Sequence, residues 1–291
     1  MSEAYVHAEL ESQPATWLRA AELVADVSHS LPRSGERVAV VGCGTSWFMA
    51  QAYAVLRERA GHGVTDAFAA SEFPLGRDYD RLIAISRSGT TSEVIELIDS
   101  VSDMTTVVIT AVTDSPAAEI ADEVIGLRFA DEQSVVQTRF ATTALTLLRA
   151  HLGEDVEALS REAETALAVD ISDLLDIDQV TFLGRGFAVG LAFEAALKAR
   201  EAAQFWSESY PALDYRHGPI SIAEPGRLVW LLGELDEDLA ADIGTTGARF
   251  VHHDLDAAAG LIVAQRFAVA LAEKQGLDPD NPRSLTRSVI R

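Results

Sequence analysis

Between Ser86 and Ser92 the chain sets five hydroxyl side chains and one glycine in seven consecutive positions, Ser86-Arg87-Ser88-Gly89-Thr90-Thr91-Ser92. The run follows the apolar segment Leu82–Ile85 and precedes a helical pattern over Thr91–Val101. A helix N-terminus carries unpaired amides and a partial positive end, which together suit a phosphate dianion. Serine and threonine hydroxyls complete such a shell without a full positive charge, and Gly89 lets the backbone come close. An ordinary helix cap, with Thr90 or Thr91 capping and Glu93 closing a capping box, needs only one or two of these groups. The excess points to an anion cradle. A second turn, Gly42-Cys43-Gly44-Thr45-Ser46, also lies between an apolar run and a helical pattern. In an open parallel sheet neighbouring strand ends face one crevice, so Thr45 and Ser46 are expected to join Ser86, Arg87, Ser88 and Thr91 around the phosphate. The turn lacks a third small residue at Phe48 and a following acidic residue in the right place, which argues against a dinucleotide. Cys43 reads as a packing residue rather than a reactive thiol.

A second constellation could move protons. Glu194, Lys198 and Glu201 recur at i, i+4 and i+7 of a helical stretch, Gly190–Gln204, and so share one face. Taken alone, that spacing describes a solvent-facing salt-bridge ladder, above all for Glu194. His217 follows in Asp214-Tyr215-Arg216-His217-Gly218-Pro219, where Gly-Pro marks a loop; by itself it reads as a solvated histidine. The other histidines form no metal-ligand spacing, and the adjacent His252 and His253 are expected at the surface.

These residues need elements to hold them. Val38–Leu56 and Val180–Leu197 share one pattern: a short apolar run, Gly-x-Gly, then a long helix, about 140 residues apart. Apolar segments at 82–85, 106–110 and 123–127 in the first half, and at 228–232 and 249–252 in the second, alternate with helical patterns. Fully apolar strands alternating with helices predict an α/β fold with buried parallel sheets. Thr138–Val169 is helical with Gly153 as punctuation, Ala257–Gln275 is a helix, and Tyr5–Leu31 reads as one further helix ended by Pro32. The expected division is an N-terminal helical segment over 1–35, a first domain over 36–165 and a second over 166–291. The second half has no hydroxyl-rich loop; Gly233-Glu234-Leu235-Asp236-Glu237-Asp238 is acidic and hostile to phosphate, so one site per chain is expected.

Composition narrows the partners. The 291 residues carry 23 basic and 45 acidic side chains, a formal charge of −22, which repels nucleic acid and anionic membrane surfaces. No apolar run reaches the length of a membrane span, and Met1-Ser2-Glu3-Ala4-Tyr5 lacks a basic-then-apolar export signal, which predicts a cytoplasmic protein. A single cysteine excludes an internal disulfide and a cysteine-rich zinc site. Only Lys198 and Lys274 are lysines, so amine nucleophiles are scarce.

In order along the chain, GCGTS (42–46), ASEF (70–73), ISRSGTTSE (85–93), FLGRG (182–186), ALKARE (196–201), RHGP (216–219) and PRSLTRSV (282–289) make the sequence resemble a known family. It is similar to the isomerase half of glucosamine-6-phosphate synthase and its sugar-isomerase (SIS) domain relatives. The resemblance spans essentially the whole chain as two tandem SIS domains. It implies, for each, a three-layer αβα sandwich around a parallel sheet of flavodoxin-like order. It further implies a phosphosugar substrate without cofactor or metal, Glu201 as the acid/base shuttling a proton between C1 and C2, and His217 as the ring-opening group. In the family that histidine serves a neighbouring subunit's site, which implies a homodimer. Lys198 is expected beside the substrate as a compensating cation, with Gly44, Val135, Gln137 and Arg287 as sugar contacts.

Several departures bear on the reaction. Arg287 stands where the synthase has a ring-opening lysine, and arginine forms no Schiff base. Arg87 replaces a glutamine and adds charge near the phosphate; Gln137 replaces a serine within Asp131–Thr138. The chain starts almost at the first SIS motif, so no glutaminase domain and no ammonia from glutamine are expected. The expected activity is aldose–ketose isomerisation or amino-sugar deamination. A fructosamine-phosphate deglycase using the same Glu/His pair is the alternative enzyme, and a non-catalytic phosphosugar sensor the alternative outside catalysis.

Overall fold

The N-terminal stretch forms two helices rather than the single one expected: α1 (Tyr5–Glu11) and α2 (Gln13–Val27). Pro14 lies in the first turn of α2 and has no amide to bond back across the junction, so the helix restarts there. The computed structural model describes residues 4–291; Met1–Glu3, on which the export-signal reading partly rests, lie outside the described residues. Those described divide into two compact units, each with its own sheet.

The first unit comprises Ser12–Gln133, Gln137–Glu157 and Thr286–Arg291. Its strands are β1 (Val38–Gly42), β2 (Thr65–Ala69), β3 (Arg81–Ile85), β4 (Thr105–Thr110) and β5 (Glu123–Gly126). All pair in parallel, in the order β2-β1-β3-β4-β5. Every residue of β1 and β3 is buried, which explains why β1 and Leu82–Ile85 of β3 are unbroken apolar runs. On one face Ala39, Val41, Leu82, Ala84 and Val108 pack with Val94, Leu97 and Ile98 of α4 (Ser92–Ser100) and Ala117 of α5 (Pro116–Ile120). Elsewhere in the unit α3 (Thr45–Arg59) packs on β1 and β2 and against α6 (Arg139–His151), which also holds α2.

The second unit comprises α1, Ser134–Val136 and Ala158–Leu285. It holds most of α7 (Val156–Ala168), then β6 (Gln179–Gly184), α8 (Ala188–Ala203), β7 (Ser207–Pro211), β8 (Arg227–Leu232), α9 (Glu237–Gly244), β9 (Arg249–His252) and α10 (Ala257–Lys274). The sheet is again parallel, in the order β7-β6-β8-β9. Leu183, Val229 and Leu231 pack with Leu239 and Ile243 of α9, while Phe182, Trp230 and Phe267 form an aromatic cluster beneath α10. The repeat seen in the sequence is real at this level: β1 and β6 each lie between the second and third strands of their sheet.

His252 and His253 are half-buried, not surface side chains. The His252 ring bonds the Gly233 carbonyl at 2.8 Å, and His253 lies edge-on to Trp230 with ring centroids 5.5 Å apart. Burial pushes the His253 pKa below its ordinary value, with His252 adding to the effect. Among the described residues no helix is long and apolar enough to cross a membrane, and no group of three or more His, Cys, Asp or Glu is placed to hold a metal.

Candidate active site

The cradle loop leaves β3 and enters α4 in the first unit. Ser86 and Ser88 are buried. The Gly89 amide donates to Ser86 Oγ at 3.2 Å, and the Thr90 amide and hydroxyl donate to Ser88 Oγ at 3.2 and 3.0 Å. A hydroxyl used as an acceptor keeps its own O–H available to donate, the polarity an anion requires. Gly89 has φ +63°, and a Cβ there would come within 1.9 Å of Ser115 Oγ. Thr91 caps α4 by position but makes no side-chain cap bond, and Glu93 bonds the Arg291 guanidinium at 2.6 Å instead of closing a capping box. The ordinary-cap reading of the hydroxyl run therefore finds no support in the bonding.

The Gly42–Ser46 turn enters α3 with Gly44 at its N-cap, and Thr45 and Ser46 are buried. A Cβ on Gly42 would meet the Ser46 and Trp47 backbone at 2.7–2.8 Å, so the tight turn needs glycine there. Cys43 packs against the apolar face beneath α4, and burial raises its pKa above the ordinary thiol value, with Glu93 adding to the rise. It is a packing residue, not an activated nucleophile.

Arg87 faces inward. Its side chain is 1% exposed, lies 3.9 Å from the Glu132 carboxylate and donates to the Arg287 carbonyl at 2.8 Å. Glu132 also accepts from the amides of Thr138 and Arg139 at 2.6 and 2.8 Å, which ties it to the start of α6. The Arg287 guanidinium bonds the Glu132 carbonyl and the Asp131 carboxylate. Farther along this tail, Ser288 Oγ lies 3.4 Å from Thr91 Oγ1, and the Val289 carbonyl accepts the Ser92 amide at 3.2 Å. Sequence reasoning missed both Glu132 as an anchor and the tail's hold on the start of α4. Neither long-range pairing has a local signal. Gln137 stands at the same segment with its Oε1 buried and without a hydrogen-bond partner among the described residues.

The second unit carries the acid–base candidates. Lys198 of α8 is 1% exposed, bonds Glu201 Oε2 and lies 3.3 Å from Glu194 Oε1. Glu194 is fully buried, which overturns the solvent-facing ladder. Spacing puts residues on one face but does not say whether that face meets water, and here the alanine-rich α8 lies against α10. Burial alone would push the Lys198 pKa down, but Glu194 and Glu201 outweigh it and hold the ammonium protonated, above the ordinary lysine value. Glu201 remains 20% exposed on its side chain. Lys198 thus has its charge turned to the two carboxylates and no open face. His217 ends the 3₁₀ turn Asp214–His217, exposed and without a hydrogen-bond or ion-pair partner among the described residues. The Val135 amide donates to the Asp280 carbonyl at 2.9 Å.

Residues 32–152, the segment that holds β1–β5 and the cradle, match the SIS domain family. Glutamine–fructose-6-phosphate aminotransferase (isomerizing) of Sulfurisphaera tokodaii is 28% identical over 296 residues, covering 88% of this chain and 50% of that protein. The chain spans about half the length of the curated relatives it matches. Among solved structures, glucosamine-6-phosphate deaminase from Thermotoga maritima superimposes with a TM-score of 0.82 at 25% identity, covering 97% of this chain and 99% of that one. Tagatose-6-phosphate ketose/aldose isomerase from Escherichia coli gives 0.80 at 18% identity, with 98% and 97% covered, a likeness of fold.

Proposed function

We propose that the protein is an enzyme of the phosphosugar-isomerase type, with a sugar 6-phosphate as substrate. The observation that carries this reading is the start of α4: an N-cap without a side-chain bond, preceded by buried Ser86 and Ser88 hydroxyls already used as acceptors. That arrangement leaves the Ser86 and Ser88 O–H groups to donate to a dianion at the start of α4, in a protein of net charge −22. The relatives named as isomerising and deaminating enzymes support the same class.

In this reading Thr45, Ser46, Ser86, Ser88 and Thr91 hold the phosphate, and Gly44, Val135 and Gln137 contact the sugar. Arg87 and Arg287 act by holding the loop and tail in place through Glu132 and Asp131. His217 moves the proton that opens the sugar ring. Glu201 then takes the proton from C2 of the open aldose and returns it to C1 through an enediolate, or the reverse from a ketose. Lys198 positions the Glu201 carboxylate and Glu194 balances it. The second unit is read as a second SIS domain of the same flavodoxin-like order, a reading supported by its 2-1-3-4 strand sequence. Each of the two sheets belongs to its own domain in this reading, and the protein works as a cytoplasmic homodimer in which His217 serves the partner subunit. A deglycase using the same pair is the second reading, favoured by the groove described next.

Glu201→Gln keeps size and removes the base. It is expected to cut turnover of the best substrate in a panel of sugar and amino-sugar 6-phosphates about 10²–10⁴-fold, with binding kept. Tight binding without turnover by the unaltered protein would support a sensor instead.

A further inference from the structure

The groove beside Glu201 contains a cation with no hydrogen-bond or ion-pair partner among the described residues. Residues from the end of α8 and from the segment after α10 enclose about 430 Å³ within the second unit, roughly a dozen water volumes. Proton transfer at one carboxylate does not need that space. Two arginines line it, and they differ. Arg200 donates to the Ser207 carbonyl and hydroxyl at 3.1 and 3.3 Å. Arg283 is exposed and has neither a hydrogen bond nor an ion pair among the described residues. With Glu201, the lining carries a net +1 in a chain of −22. Leu197, Phe205 and Leu285 give the groove apolar walls.

Its backbone is also unusual. Among the described residues only Gln204 (φ 51°) and Ser284 (φ 64°) are non-glycine residues in the left-handed region, and both line this groove. That conformation is unfavourable for residues with a Cβ and persists where surrounding structure imposes it. The groove is therefore a shaped surface with one uncommitted positive charge next to the proposed acid/base.

We propose that the groove receives a carboxylate-bearing substituent on the substrate's amino nitrogen, and that Arg283 pairs with that carboxylate. This rests on the function proposed above and narrows it to conjugates of a phosphorylated sugar with an amino acid. The reaction balances with water as the only co-reactant. Glu201 takes a proton from C1 of the ketosamine and returns it to C2, the C2 carbonyl oxygen becomes a hydroxyl by taking the proton that the nitrogen gives up, and C1 becomes an imine. Water adds to C1, the C1–N bond breaks, C1 becomes the aldehyde, and the nitrogen leaves as the free amine with the two protons of the water. C1 is oxidised by the two electrons that reduce C2, and the products are an aldose phosphate and an amino acid.

The test compares two near-isosteric substrates, the 6-phosphates of 1-deoxyfructosyl-glycine and of 1-deoxyfructosyl-glycinamide. The unaltered protein is expected to favour the carboxylate by about 10- to 100-fold in kcat/KM, the range of one charged hydrogen bond. Arg283→Gln should collapse that ratio to within about threefold, and Arg283→Lys should restore part of it. Equal treatment of the two substrates by the unaltered protein overturns the proposal, as does a ratio unmoved in Arg283→Gln. Inert conjugates alongside an isomerised plain sugar phosphate overturn it too, while leaving the proposed function standing. If nothing turns over, calorimetric affinities of the two conjugates decide, and equal affinities again overturn it. Turnover of any phosphosugar that survives Glu201→Gln undiminished would instead sink the underlying reading.

Discussion

The third strand of each sheet runs into a turn and then a helix, and the two turns are built to opposite ends. After β3 the chain offers Ser86, Ser88, Thr90 and Thr91, and the α4 N-cap makes no side-chain bond. After β8 it offers Gly233-Glu234-Leu235-Asp236, and the Asp236 carboxylate accepts the Leu239 amide of α9 at 2.8 Å. Arg185 and Arg216 lie 4.0 and 3.8 Å from that same carboxylate. One helix start is filled by the protein's own anion; the other has hydroxyls where the anion would be. The lesson is that a shared fold position becomes an anion site only where the sequence withholds an acidic cap.

That contrast can be broken by mutation. The largest effect on stability is expected from Gly89→Ala, because a Cβ would meet Ser115 Oγ and because φ +63° disfavours alanine. Overpacking and backbone strain together should cost about 2–4 kcal/mol, read from denaturant midpoints. A smaller effect separates the two caps. Asp236→Ala removes a working cap and should cost about 1 kcal/mol, whereas Thr91→Ala removes none and should cost only a few tenths. Equal losses at the two positions would mean that Thr91 stabilises α4 in a way its geometry does not reveal.

Much of the fold was legible in the sequence for a definite reason. Strands such as β1, β3, β6 and β8 are buried almost throughout and read as largely apolar runs. The strands that escaped notice, β2 (TDAFA) and β7 (SESYP), are the edges beside β1 and β6 and are only partly buried, so they carry polar residues. The cradle was legible because hydroxyl density is local. Glu194 was misread because the i, i+4 pattern is the same for a wet face and a buried one. The clasp of Glu132 with Arg87 and Arg287 was invisible because its partners lie up to 155 residues apart. Arg283 stood in a quoted motif, but its lack of a partner is a property of the folded groove alone.

The central claim is that the start of α4 grips a phosphate ester. Calorimetric titration with glucosamine 6-phosphate and fructose 6-phosphate, on the unaltered protein and on Thr91→Asp, tests it most directly. Aspartate would give α4 the solution that α9 already has. Affinity should then fall at least about tenfold while thermal stability holds or rises, because the new carboxylate caps the helix and repels the phosphate. Unchanged affinity in Thr91→Asp would contradict the account.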